Sequence, residues 1–318
     1  MSDHEQALDQ GRDQVRPVLV GYDGSPAGEA ALRWAVEEAR LRGAPLTVCH
    51  AWCWSYPFRP PDEKTLEVLR CLGAMVADEG VRKAHSFAEG LEVRWHLKRG
   101  WPAAVLLEAS RDADLVVLGS RGHAGFDDVM VGSTAVQVPA RGDRPVVVVR
   151  SAERQPVETR GSRGEGPSEG QGERRGARVV VGVDGSPASE AALGFALAEA
   201  ELRDGRVEAV CGWWDPGVLP GPERLPFVRP ETLRAEAIER FEHAVAGWKA
   251  EHPKVPIETR FVVETPRRAL LDAAKDADLL VVGSRGIGSS PKLLLGPVTQ
   301  TALHEAPCPV AVVPPARP

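Results

Sequence analysis

The chain has 318 residues, of which 43% are hydrophobic and 26% charged, a globular balance that is long for one open α/β domain and comfortable for two of about 150 residues each. A net charge of −6, with Lys and Arg scattered rather than gathered in a stripe, argues against nucleic acid as a partner. No apolar run approaches the ~20 residues of a membrane helix, and the first fifteen residues are polar, with both charge signs and no apolar h-region, so no membrane partner and a cytoplasmic location are expected.

In chain order, residues 1–15 read as a disordered tail and residues 16–150 as a first α/β domain. Residues 17–23 form an apolar strand ending at Asp23. Ser25 is a good N-cap with Pro26 at the first helical position, and Ala31, Leu32, Ala35, Val36 and Ala39 mark one helical face. Strands follow near 46–52, 91–97, 114–119 and 145–150, separated by helices near 63–89, 101–111 and 133–140. This alternation predicts a parallel sheet covered on both faces, and the unbroken apolar runs at 115–118 and 279–282 suit its central strands. Residues 151–177 contain six glycines, no aromatic residue and balanced Glu and Arg, so they read as a flexible linker.

Residues 178–315 repeat the first domain. Val20-Gly21-Tyr22-Asp23-Gly24-Ser25-Pro26 returns as Val181-Gly182-Val183-Asp184-Gly185-Ser186-Pro187, an offset of 161. Asp112 to Gly122 returns as Asp276 to Gly286, an offset of 164. Both copies close on apolar β-formers, 146–149 and 310–313. An exposed apolar edge needs a cover, so these terminal strands are expected to pack the repeats into an intramolecular pseudo-dimer, with a further homodimer also open. The five cysteines form no C-x-x-C pair; Cys49, Cys211 and Cys308 lie within or at the start of strand-like segments and read as buried reduced thiols.

The residues that suggest chemistry follow the fourth strand. Gly119-Ser120-Arg121-Gly122, nine residues, then Gly132-Ser133-Thr134 leads a strand through glycines into a helix, where backbone N–H groups and the helix N-terminus can meet an anion. The Ser133 and Thr134 hydroxyls can donate further, and Asp23 ends a strand next to the expected switch in strand order. Asp23 also reads as a cap of its own Asp-Gly-Ser-Pro turn. Within the loop, Asp127 and Asp128 are the candidates for holding a Mg²⁺ ion, against the preferred reading of solvated acids, and His123 reads as solvent-facing. Trp52, Trp54, Trp213 and Trp214 read as packing residues.

This strand-end Asp and loop spacing, present in both halves, resemble the universal stress protein family. The resemblance implies, for each half, a five-stranded parallel sheet of the Rossmann-like, adenine nucleotide alpha hydrolase-like type. It implies that Gly119, Arg121, Gly122, Gly132, Ser133 and Thr134 surround the phosphates and ribose of ATP, with Asp23 and the backbone at Ala51 on the base side. The second copy keeps Asp184, Gly283, Arg285, Gly286 and Gly296, but Pro297 has neither hydroxyl nor N–H. Trp213 aligns with Ala51 and is expected to crowd the base, so this site is read as weaker. The leading expectation is an ATP-binding stress-response regulator acting on an unnamed protein partner, with no catalytic residue assigned: no Walker lysine or water-activating base stands out. A slow ATPase or nucleotidyl-transfer enzyme and a nucleotide-free interaction module are the alternatives.

Overall fold

The structure, a computed structural model, describes residues 15–54, 60–122, 131–150, 176–214, 230–287 and 294–316. The first half runs β1 (Val18–Gly21), α1 (Pro26–Arg42), β2 (Leu46–Trp52), α2 (Glu63–Phe87), β3 (Val93–Arg99), α3 (Pro102–Ala109), β4 (Leu115–Gly119), α4 (Ser133–Arg141) and β5 (Val146–Val149). The second half repeats it as β6 (Arg178–Gly182), α5 (Pro187–Leu202), β7 (Arg206–Gly212), α6 (Pro230–Glu251), β8 (Ile257–Val262), α7 (Pro266–Ala273), β9 (Leu279–Gly283), α8 (Pro297–Glu305) and β10 (Val310–Val313).

Local chemistry sets these boundaries. Ser25 Oγ accepts from Gly28 N at 3.0 Å to open α1, and Gly43, with φ 60°, closes it in the left-handed conformation. Ser186 opens α5 in the same way, accepting from Ser189 N at 3.2 Å. The third strand begins two residues later than the sequence pattern suggests. Gly90, with φ 80°, turns the chain after α2, and Leu46 N bonds Glu92 O at 2.9 Å, so pairing in register starts at Val93 opposite Leu46.

Each half is five parallel strands, and the two halves merge into one ten-stranded sheet in the order β3-β2-β1-β4-β5-β10-β9-β6-β7-β8. The expected terminal-strand seam is an antiparallel ladder, with Val310 opposite Val148, Ala311 opposite Val147 and Val312 opposite Val146. The sheet's open edges are therefore β3 and β8 rather than the terminal strands. Leu115 and Val117 join the core cluster on one face, under α1, α2, α5 and α6. Val116 and Leu118 join the cluster on the other, under α3, α4, α7 and α8. Burial on both faces explains the unbroken apolar run.

A charged ring closes the seam on one face of the sheet. Glu38 on α1 and Glu199 on α5, related by the 161-residue offset, are both fully buried. Arg42 donates to both carboxylates, and so does Arg203, which reaches Glu199 Oε2 at 2.6 Å. Arg42 also lies 5.9 Å from the Phe195 ring and Arg203 5.6 Å from the Trp34 ring, so the pseudo-twofold extends to the cation–π contacts. Burial pushes both carboxyls up. The Arg203 and Arg42 guanidinium groups outweigh it and hold Glu38 below its ordinary value, while burial and then the facing Glu38 push Glu199 up to about 7.

Candidate functional site

At the carboxyl end of β1 the strand order reverses, since β1 pairs with β2 on one side and β4 on the other, and a cavity of about 320 Å³ opens there. This is where open α/β sheets place ligands. Asp23 sits at the opening, and its Oδ1 accepts from Ser25 N at 3.0 Å and Ser25 Oγ at 2.6 Å. The turn-capping reading of Asp23 is thus correct, and the residue also lines the cavity. On the β2 side stand Cys49, His50 and Ala51; His50 Nδ1 lies 2.8 Å from Tyr22 O.

Opposite, β4 delivers Gly119, Ser120, Arg121 and Gly122, and α4 delivers Gly132, Ser133 and Thr134. Asp23, Ala51, Gly119, Arg121, Gly122, Gly132, Ser133 and Thr134 therefore line one cavity. The three glycines stand there for different reasons. A Cβ on Gly119 would lie 2.6 Å from the Ala27 backbone, so this glycine lets α1 approach the sheet. A Cβ on Gly122 would lie 2.5 Å from Asp23 Oδ2, so this one seats the loop on the aspartate. At Gly132 the nearest atom to such a Cβ is 3.6 Å away, and φ −71° and ψ 156° suit any residue. Nothing within the described fold requires glycine there.

Gly132 is also the N-cap of α4, and no side chain caps that helix. Its N–H reaches Ser120 O at 2.7 Å. No hydrogen bond joins the Ser133 or Thr134 hydroxyl to another described residue, so the first turn presents donors to the cavity. Behind Arg121, burial and then the Arg121 charge hold the Arg150 guanidinium below its ordinary value, and Arg150 donates across the seam to Leu303 O at 2.9 Å. His123, Asp127 and Asp128 lie outside the described residues, and no group of three or more potential metal ligands occurs among the described ones.

The second repeat builds the same frame around a cavity of about 160 Å³, half the size of the first. Asp184 caps its turn through Ser186 N at 3.0 Å, and its Oδ2 accepts from Ile287 N at 2.8 Å. Gly283 admits the Ala188 backbone, as Gly119 admits Ala27. Gly286 packs on Asp184 as Gly122 does on Asp23, Gly296 is the N-cap of α8, and Arg285 is an exposed part of the wall.

The alignment of Trp213 with Ala51 is wrong by one residue. Gly21 pairs with Cys49 and Gly182 with Val210, so Gly212 takes the place of Ala51 and Trp213 that of Trp52. Trp213 is not part of the cavity wall. The second cavity is narrow for another reason: a Cβ on Gly212 would lie 2.6 Å from Pro266 Cα, because α7 rides close against β7. The sequence reading also passed over Val298, which replaces Thr134 and removes a second hydroxyl. The same alignment that exposed Pro297 could have found it. Nor did it find His50, whose ring bonds a backbone carbonyl brought in from β1.

Of the four tryptophans read as packing residues, Trp52, Trp54 and Trp213 are half-buried and Trp214 departs from the expectation. Trp52 and Trp213 are half-buried at strand ends, with the Arg99 guanidinium 5.9 Å from the first ring and Phe261 6.4 Å from the second. Trp214 is 49% exposed. Cys49, Cys211 and Cys308 are buried free thiols, pushed up by burial to about 12, 11 and 11, whereas Cys71 is exposed. No helix among the described residues is long and apolar enough to cross a membrane.

A family model described as the universal stress protein family matches residues 14–150 and again 177–314. A universal stress protein of Mycolicibacterium smegmatis is 34% identical over 304 residues, covering 94% of this chain and 97% of the relative. One from Mycobacterium tuberculosis is 31% identical over 305 residues, covering 93% and 96%. The crystal structure of a universal stress protein from Archaeoglobus fulgidus aligns with 95% of this chain and 100% of its own, with TM-score 0.67 and 18% identity, and so shares the fold. The chain belongs to the universal stress protein family and carries its domain twice.

Proposed function

We propose that the first repeat binds ATP in its 320 Å³ cavity, that the second binds nucleotide weakly or not at all, and that occupancy of the first governs association with a protein partner in the cytoplasm. The observation that carries this reading is Gly132: a glycine that no described contact demands, at the uncapped start of α4, beside two hydroxyls with no partner among the described residues. Phosphate oxygens supply the missing reason, since a side chain at Gly132 would occupy their approach and the helix start favours negative charge. Gly132, Ser133 and Thr134 would hold the phosphates, with Arg121 and Gly122 along the loop, and Asp23 and the Ala51 backbone would face the sugar and base. Gly119 and Gly122 support the site by letting α1 and Asp23 into place.

The second repeat supports the asymmetry. Pro297 removes an N–H and a hydroxyl, Val298 removes another hydroxyl, and the cavity holds half the volume. Hydrogen bonds to charged groups contribute about 1.5–3 kcal/mol each, so losing two or three abolishes useful affinity.

The test exchanges the two helix starts. Calorimetry with MgATP is expected to show one site in the parent chain, none in Ser133→Pro/Thr134→Val, and a gain in Pro297→Ser/Val298→Thr. Unchanged binding in Ser133→Pro/Thr134→Val would place the nucleotide elsewhere. Robust turnover of ATP in the same samples would favour an enzyme over a regulator.

A further inference from the structure

The second cavity keeps the frame of the first, with Leu270 and Val282 where the first has Leu106 and Leu118, but loses the hydroxyls at the helix start. Asp184 is engaged on both oxygens, by Ser186 N and Ile287 N. Ser189 Oγ donates to Ser186 O at 2.9 Å, and Thr299 Oγ1, at the position of Ala135, donates to Gly283 O at 2.7 Å. The hydroxyls of this wall are thus turned into the protein. What faces the space is Val210, Leu270, Val282 and Val298, with Pro297 at the helix start. Arg285, the wall's one cation among the described residues, is exposed.

We propose that this cavity is a binding site for a small uncharged aromatic molecule of about one ring. Size and polarity decide between ligand classes. Sites for nucleotide-sized ligands start near 300 Å³, which the first cavity reaches and the second, at about 160 Å³, does not. An apolar cavity of about 150 Å³ is the size that takes benzene. An anion finds no hydroxyl at Pro297 or Val298. An apolar ring meets valine and leucine walls and strips no bonded polar group of its partner. A ring seated against Val210, Leu270, Val282 and Val298 removes their apolar surface from water. The inference concerns the second repeat alone and holds whether or not the first binds ATP.

The experiment is a ¹⁹F NMR titration of the full chain with fluorobenzene as probe, repeated with MgATP added. Saturable binding of one probe per chain is expected, weakened at least tenfold by Val298→Phe, which fills the cavity. Val298→Leu, a milder filling that keeps the fold testable, should weaken it less. Thr134→Phe, the same change in the first cavity, should retain binding, and MgATP should not displace the probe. Absence of saturation, binding that survives both Val298 variants, loss in Thr134→Phe, or displacement by MgATP overturns the proposal. Failure of ATP to bind the first repeat leaves these readings intact and bears only on the proposed function.

Discussion

Removing Arg203 tests whether the buried ring locks the two repeats together. Its guanidinium bonds Glu38 and Glu199, whose side chains have no exposed surface, so Arg203→Ala leaves two buried carboxylates sharing Arg42 alone. Breaking a buried pair by deleting one partner costs about 3–5 kcal/mol, a large share of the ~5–15 kcal/mol that holds a typical protein folded. An exposed pair such as Arg40–Glu37, 58% and 60% exposed, is worth about 0–1 kcal/mol. The pseudo-twofold adds a stricter expectation: Arg42→Ala should cost the same within ~1 kcal/mol, and the double variant less than the sum, because both act on the same carboxylates. Replacing all four charges with Met or Leu should be close to neutral, since no buried charge is left unpaired. Urea unfolding measures this, and Trp34, 5.6 Å from Arg203, provides a fluorescence signal at the seam. A loss under ~1 kcal/mol in either single variant would show that the ring does not hold the seam.

Two further outcomes follow from named contacts. Gly119→Ala, whose Cβ would press on the Ala27 backbone at 2.6 Å, should lose at least ~2 kcal/mol of stability, whereas Gly132→Ala should change stability by under ~1 kcal/mol and weaken ATP binding; equal stabilities, by thermal unfolding, would refute the division of roles. The ring also predicts a pH dependence. Glu38 and Glu199 titrate as a coupled pair, one of whose protons is held in the folded chain up to about 7 against 4.5 unfolded, so the pair's contribution is complete below the unfolded value and is lost as pH rises through about 7. Relative to Glu38→Gln/Glu199→Gln, the parent chain should therefore lose stability between pH 5 and 8, and a flat difference across that window would show that the pair holds no raised proton.

Much of this architecture is legible in the sequence because it is periodic or repeated. Apolar runs at Leu115–Leu118 and Leu279–Val282 suit central strands, and Ser25-Pro26 marks a helix start by its own chemistry. The loop glycines are visible as a pattern, but their reasons are not: Gly119 answers to Ala27, Gly122 to Asp23, and only Gly132 stands open. Register decides what the alignment of Trp213 missed, since one residue of slip moves a side chain to the other face. Nothing in the local sequence marks Glu38 and Glu199 as buried. Their burial depends on α1 and α5 meeting across the seam, through bonds 157 and 165 residues apart in the chain that no local pattern encodes.

The central claim is that one repeat of the two takes nucleotide, and native mass spectrometry of the full chain with MgATP tests it most directly. The account predicts a single bound nucleotide per chain at saturation, lost in Ser133→Pro/Thr134→Val and unaffected by Val298→Phe. Two equivalent nucleotides per chain, or one that persists when the first loop is altered, would contradict it.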